Sequence, residues 1–301
     1  MDFKQIEAFM NVVKYKNFSK AADASFLTQP TISAHINNLE KELGVLLLDR
    51  SGREATLTKQ GEVFYPFAVN MLNTRSQAMF SMKNISIDLN GVLELGVSSI
   101  PGQYFVPKMV AQFHKAFPKV RFYVDQSDSR NVIESILNQR GEIGFTGCKL
   151  NNSLVYEPIF TDKMVLMTPA KGEYAHWKEG TVSQELLKRQ KLITREEGSG
   201  TKMEMEHAKI EGLPIYKSMN LIARMNSFEA IREAVAYGMG VSIVSDVAAR
   251  HEKNSQDIRF FQIEGLEHRR TFYLIYNQYR SLSPIGEQFI KMVLKERQEG
   301  L

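Results

Sequence analysis

The sequence predicts an α/β protein in three parts: an all-α winged helix-turn-helix, a long linker helix, and a two-lobed α/β domain. Three observations carry this expectation. Apolar residues at helical spacing dominate the first forty-odd positions. A stripe of mainly apolar residues then repeats in steps of four and three from Phe64 to Ile85. Beyond Asn90-Gly91, short apolar runs alternate with amphipathic ones, the order of a strand–helix–strand domain.

With 301 residues the chain exceeds one ordinary core, since single domains usually run roughly 100–200 residues. A hydrophobic share of 43% and a charged share of 24% are those of a soluble globular protein. No run of about 18 apolar residues exists to span a bilayer, and MDFKQIEAFM lacks a signal-peptide core. The single cysteine, Cys148, cannot form an internal disulfide. These features predict a cytoplasmic protein without a membrane partner. The net charge of +4 permits nucleic-acid binding without demanding it. Residues 1–60 hold eight Lys or Arg against seven Asp or Glu, so DNA affinity must come from where the cations sit and from several copies of the domain.

The first helix carries Phe3, Ile6, Phe9, Met10 and Val13, with Asp2 as N-cap. Ser19 is expected to cap a second, Ala-rich helix over Lys20 to Ser25. A turn over Phe26-Leu27-Thr28-Gln29 leads to a third helix from about Pro30, which buries Ile32, Ile36, Leu39 and Leu43 and stops at Gly44. Val45–Arg50 and Ala55–Leu57 form a wing around a Ser51-Gly52-Arg53 tip. Thr58 caps a helix reaching about Asp88, with Phe64, Ala68, Met71, Arg75, Ala78, Met82 and Ile85 as the seam of a two-helix pairing. Pro66 should bend this helix or shift its start, and Arg75 is a blemish in the seam.

Three helices and a wing are the geometry in which the third helix enters the major groove. Its outer face offers Thr31, Ala34, His35 and Asn38, flanked by Gln29 and Ser33: short hydrogen-bonding groups plus an alanine, suited to base edges and thymine methyls. Thr28 and Thr31 at the helix N-terminus favour a phosphate, and Arg50, Arg53 and Lys59 can neutralise backbone charge. A small helical bundle with a polar face would share the pattern of three amphipathic helices.

Strand candidates after Gly91 are Val92–Val97, Val120–Gln126, Ile143–Thr146, Met164–Thr168, Lys191–Thr194, Met219–Arg224, Val241–Val244 and Thr271–Tyr276. Helices are expected over Pro107–Ala116, Asn131–Asn138, Ser183–Lys188, Thr201–Glu211, Ser227–Tyr237 and Pro284–Lys295. The alternation implies a mainly parallel sheet, with ligands between lobes at strand C-terminal ends. Three loops fit: Ser98, Ser99 and Gln103 after the first strand; Thr146, Gly147 and Cys148 after the third; and the Arg195–Thr201 loop, whose Ser199 and Thr201 offer hydroxyls. Each loop taken alone also reads as an ordinary N-cap with turn glycines.

The stretch FSKAADASFLTQPTISAHINNLEKELGVLLLDRSGREATLTKQGE resembles the N-terminal domain of LysR-type transcriptional regulators. The matches are Ala21-Ala22, Gln29, Ser33, Leu39-Glu40, Leu43-Gly44-Val45, Arg50 and Leu57-Thr58 with Gly61. Leu47-Leu48 stands where that family usually has a phenylalanine. The resemblance extends in order over nearly the whole chain, and R-E-x-G-S-G-T at 195–201 is similar to the branch of the cysteine, sulfur-assimilation and carbon-fixation regulators. It implies a dimer through the linker helix, often paired into a tetramer, a two-lobed α/β effector domain resembling periplasmic binding proteins, double-stranded DNA and RNA polymerase as partners, and a small anionic effector lined by Thr201 and by Ser98 or its neighbour. It also makes Ala234–Val241 family-like, with Asn226 facing the cleft. The implied division is 1–58 for DNA, 59–90 for dimerisation and 91–301 for the effector, with lobes 91–161 plus 267–301 and 162–266.

The rival class is a cytoplasmic small-molecule-binding enzyme with an appended DNA-binding domain. Ser199 lies in G-S-G-T, not in a G-x-S-x-G elbow. No H-E-x-x-H, C-x-x-C or Walker loop occurs, and histidines 35, 114, 176, 207, 251 and 268 lack ligand spacing, so no metal or cofactor is expected. Cys148 reads as a small buried residue ahead of a redox sensor.

Overall fold

The structure is a computed structural model and describes all residues except Arg53, 83–88, Glu179, Ala208, 211–212, 215–218, Lys253, 267–268 and 299–301. The chain divides into two units, Met1–Leu89 with Gln278–Glu287, and Asn90–Asn277 with Gln288–Leu301. The linker helix thus packs as part of the first unit.

That unit holds α1 (Phe3–Tyr15), α2 (Phe18–Ala24), α3 (Gln29–Leu43), β1 (Leu48–Asp49), β2 (Thr56–Leu57) and α4 (Lys59–Met82). Asp2 closes a capping box with Gln5, as its position before the apolar run requires. The second helix starts earlier than expected because Asn17, not Ser19, accepts the Lys20 amide. Thr28 caps α3 through the Thr31 amide, and Gly44 ends it at φ 70°. Ile32, Ile36 and Leu39 are fully buried against Phe9, Val12, Ala21 and Ala22. Leu43 is not part of that stripe: it is 37% exposed, because the chain turns into the wing one residue later.

The wing is shorter than expected, two residues on each side. It is held by Glu40, whose buried carboxylate accepts the Leu47 and Leu48 amides at 2.8 and 3.1 Å and the Arg50 guanidinium at 3.0 Å. Thr58 caps α4 through the Gly61 amide, so Pro66 does not shift its start. A Cβ on Gly61 would lie 2.0 Å from the Leu47 carbonyl oxygen, so the helix can approach the wing this closely only without a side chain there.

The expected seam is corrected. Ala68 is fully buried in the N-terminal core, and Phe64 and Met71 pack against it. Arg75 is no blemish: it pairs with Glu7 at 2.6 Å and stacks over Phe3. Of the expected seam residues Met82 is exposed, and the other large exposed apolar residues of α4 are Val63, Phe67, Met79 and Phe80. Ile85 and the expected end at Asp88 lie outside the described residues.

The second unit contains β3 (Gly91–Val97), α5 (Ser99–Tyr104), α6 (Val106–Ala116), β4 (Val120–Gln126), α7 (Ser129–Leu137), β5 (Ile143–Thr146) and β6 (Leu154–Pro169). There follow β7 (Thr181–Val182), α8 (Gln184–Lys188), β8 (Lys191–Arg195), α9 (Gly200–His207), β9 (Lys209–Ile210), β10 (Leu213–Pro214) and β11 (Asn220–Met225). The chain closes with α10 (Phe228–Ala236), β12 (Ser242–Ser245), α11 (Asp246–His251), β13 (Ile258–Ile263), β14 (Arg269–Asn277) and α12 (Pro284–Gln298). The helix expected to reach Glu211 ends at His207. The loop after β3 proves to be the short helix α5, and β13 and α11 had no sequence forecast.

The sheet is mixed, not mainly parallel. Strands β4, β3 and β5 run parallel, as do β11 and β8, but β6 and β14 pair antiparallel with each other over nine positions. The first part of β6 belongs with β14, and its last residues pair with β12 and β13. One 16-residue strand thereby joins the two halves of an eight-stranded sheet. Strands β6 and β14 cover the residues expected to cross between the lobes.

Candidate nucleic-acid interface and effector cleft

Burial of Ile32, Ile36 and Leu39 turns the opposite side of α3 outward. Gln29, Ala34 and Asn38 are exposed, and Thr31, Ser33 and His35 are half-buried. Gln29 donates to the Ser33 hydroxyl at 3.0 Å, and the Thr28 and Thr31 hydroxyls lie 2.8 Å apart. The helix therefore presents polar groups already ordered among themselves. Arg50 is not a free cation. Besides Glu40 it donates to Asn37 at 2.9 Å and covers the Phe18 ring. It fastens the wing to α3. Arg53 lies outside the described residues.

In the second unit, strand ends from both lobes converge where the sequence placed them. Ser98 and Ser99 follow β3, Gly147 follows β5, and Ser199 and Thr201 precede and open α9; all five line one cleft. Glycine makes the approach possible: a Cβ on Gly198 would meet the Asp128 carboxylate at 2.5 Å, and one on Gly200 the Ser129 hydroxyl at 2.8 Å. The enclosed space is only about 10 Å³, the limit for one water molecule. The lobes are closed onto their own polar side chains.

Two buried arginines stand in this cleft, and the sequence reading assigned neither a role. Arg195 donates to the Ser99 hydroxyl at 3.0 Å and to the Asn226 carbonyl at 3.3 Å, while Glu196 fills its fork with two contacts of 2.8 Å. Arg270 donates to the Thr201 hydroxyl at 2.9 Å and grips Asp162 at 2.9 and 2.5 Å. Asp162 also accepts the Ser245 hydroxyl. The only sequence signal for Arg270 is a cation in the apolar run TFYLIY and its neighbours, where burial demands a partner.

Three expected effector residues do not line the cleft. Thr146 is fully buried, its hydroxyl turned toward the Cys148 sulfur at 3.7 Å. Gln103 lies one turn along α5 and donates to Glu229 at 2.5 Å. Asn226 reaches Arg195 only through its carbonyl, and its side chain is exposed. Burial works against charge on Glu229, yet bonds from Ser227, its own amide and Gln103, and the charge of Arg195, hold its carboxyl below the usual range. Burial pushes the Cys148 thiol up, opposed by bonds to Thr146 and Ser129. Among the described residues no group of His, Cys, Asp and Glu could hold a metal.

Comparison with known proteins assigns both units. Residues 3–62 match the bacterial regulatory helix-turn-helix proteins of the lysR family, and residues 87–298 match the LysR substrate binding domain. The chain is 30% identical over 302 residues to the HTH-type transcriptional regulator CysL of Bacillus subtilis, covering 100% of this chain and 99% of that protein. It is 28% identical over 300 residues to a probable RuBisCO transcriptional regulator of Phaeodactylum tricornutum, covering 98% and 97%. In fold it is similar to full-length OxyR of Pseudomonas aeruginosa, with a TM-score of 0.80 at 20% identity over 99% of this chain and 95% of that one. It is also similar to the CcmR regulatory domain of Synechocystis PCC6803 in complex with 2-PG, with a TM-score of 0.60 at 20% identity, covering 70% and 99%. A helix-turn-helix packed on three buried residues and a cleft built on strand ends are thus the two working parts of a DNA-binding regulator with an effector domain, and the chain belongs to the LysR family of transcriptional regulators.

Proposed function

We propose that this regulator reads base edges with Gln29, Thr31, Ser33, Ala34, His35 and Asn38, anchors the wing on phosphates through Arg53 and in part Arg50, and answers to a small anion held between its lobes. The anion reading rests on one observation: Arg195 and Arg270, both buried, converge on the Ser99 and Thr201 hydroxyls at strand ends. Ser98, Gly147 and Ser199 complete the pocket. An arriving anion takes the fork of Arg195 from Glu196, and the lobes part to admit it. The 2-PG held by the CcmR regulatory domain supports a small-metabolite ligand in this fold.

The division of labour is 1–58 for DNA, 59–90 for self-association and 91–301 for the effector, with lobes of 91–161 plus 267–301 and 162–266. Val63 and Phe67 on α4, 67% and 61% exposed, support pairing of two copies through this helix and assembly into a tetramer. Phe26, 96% exposed at φ 55°, supports a protein partner for the turn of the helix-turn-helix, RNA polymerase in our reading. The protein acts in the cytoplasm and carries out no catalysis.

Gel shifts of the full chain on its own upstream DNA test the DNA half. Two half-sites about 10 bp apart, or a multiple, are expected. His35→Ala and Asn38→Ala should each relax base preference; unchanged preference in both overturns the register of α3. A thermal-shift screen against sulfur oxyanions, acetylated amino acids and phosphorylated metabolites tests the ligand half. A neutral compound as the sole stabiliser would refute the anion reading.

A further inference from the structure

The crossing strands β6 and β14 carry two charge pairs in succession, on opposite faces. Asp162 stands opposite Arg270, and this pair turns toward Thr201 and the effector cleft. One step along, Lys163 stands opposite Arg269. Directly opposed residues share a face, and like charges so placed repel. No described carboxylate pairs with either side chain: the bond at Lys163 is made by its backbone amide, to Asp246.

The Lys163–Arg269 face borders a cavity of about 670 Å³, the size of a small-ligand site and far larger than the closed cleft. Arg250 and His251 of α11 add a third cation and an imidazole to its wall. Among the lining residues, the acidic groups are Asp162 and Asp246. The first is consumed by Arg270, and the second faces Arg250 at 3.4 Å. The rest of the wall is mainly apolar, Phe105, Ile159, Phe160 and Val247 with the single hydroxyl of Thr161, and Tyr104 is stacked on His251 at 4.6 Å. Burial, then the charges of Glu229 and Glu252, push Tyr104 up to about 12, so its hydroxyl keeps its proton at neutral pH.

We propose that this cavity is a second ligand site, separate from the effector cleft, which takes a small dianionic metabolite: a phosphate monoester or dicarboxylate whose charged end meets Lys163 and Arg269 and whose body lies on the aromatic wall. The site lies between lobes, since Tyr104 ends α5 and His251 ends α11. Unrelieved repulsion at Lys163–Arg269 is what a site built for an anion costs when empty.

The test uses the full chain carrying Thr201→Val, which impairs the cleft, with phosphoenolpyruvate, phthalate and inorganic phosphate as probes. At about a hundredfold excess over Kd, a bound dianion should raise Tm by roughly 5 °C or more. Adding Lys163→Gln and Arg269→Gln should abolish that rise while leaving Tm without probe unchanged or higher, because repulsion is removed. The proposal is overturned if none of the three stabilises the Thr201→Val chain, or if the rise survives the double substitution. If the double substitution lowers Tm without probe by more than about 5 °C, titration calorimetry on Lys163→Gln alone decides: at least a tenfold loss of affinity supports the site, and unchanged affinity refutes it.

Discussion

Arg270 and Thr201 are joined by a hydrogen bond of 2.9 Å that links the second crossing strand to the first turn of α9, although 69 residues separate them in the chain. The guanidinium cannot leave, since Asp162 holds its other nitrogens. The hydroxyl is therefore fixed at the mouth of the closed cleft.

Replacing Thr201 by valine keeps the shape and deletes the hydroxyl. Arg270 then keeps a buried N–H without a partner, costing about 1–3 kcal/mol. Effector-induced change in DNA binding should be lost or fall at least tenfold, while DNA affinity without effector stays the same. Gel shifts with and without effector check this, and an intact response would remove Thr201 from the pocket.

The Asp162–Arg270 pair is fully buried, with side-chain exposures of 0% and 2%. Asp162→Asn should destabilise the chain by about 3–5 kcal/mol, because an uncompensated guanidinium remains in a low-dielectric site. The double change Asp162→Leu with Arg270→Met should cost less than either single change, since no buried charge is stranded. Urea unfolding of the parent chain, Asp162→Asn, Asp162→Leu, Arg270→Met and the double variant measures both statements.

Glu40 feeds two wing amides and one guanidinium. Glu40→Ala strands all three donors and should lower the stability of the N-terminal unit by about 2–4 kcal/mol. DNA affinity should fall for specific and unrelated duplexes alike, because the wing is displaced and no base contact is lost. A loss confined to the specific site would mean that Glu40 takes part in sequence reading.

Gly61→Ala places a methyl 2.0 Å from a backbone oxygen that cannot swing away. Overpacking of this kind costs about 1–3 kcal/mol, and the entry of α4 must shift from the wing. A lower Tm is expected, with weakened self-association if α4 is the pairing helix; light scattering and thermal melts report the two effects separately.

Cys148 should be a poor nucleophile at neutral pH. Burial raises its thiol above the ordinary value, so the reactive thiolate is scarce and its fraction keeps rising beyond pH 9. Iodoacetamide should alkylate it more slowly than a free thiol at pH 7, with a rate still climbing at pH 9. Rapid labelling at neutral pH would revive a redox role.

The order of residues alone determined what local chemistry records. Asp2 before an apolar run, Thr28 before Pro30 and Gly44 after Leu43 mark where helices begin and end, and the spacing of Ile32, Ile36 and Leu39 says that one side of α3 is buried. The hydroxyl-bearing loops at 98–99 and 199–201 were legible for the same reason: they punctuate strands. Tertiary structure decided what each face is buried against. Periodicity put Phe64, Ala68 and Met71 in one stripe but could not say whether that stripe meets α1 or a second copy. It left Leu43 looking like core and Arg50 like a free charge, since the turn into the wing and the reach of Glu40 lie outside any helical repeat. Arg270 was the hardest to see, because Asp162 and Arg270 are 108 residues apart and a long-range ion pair leaves no local mark on either strand.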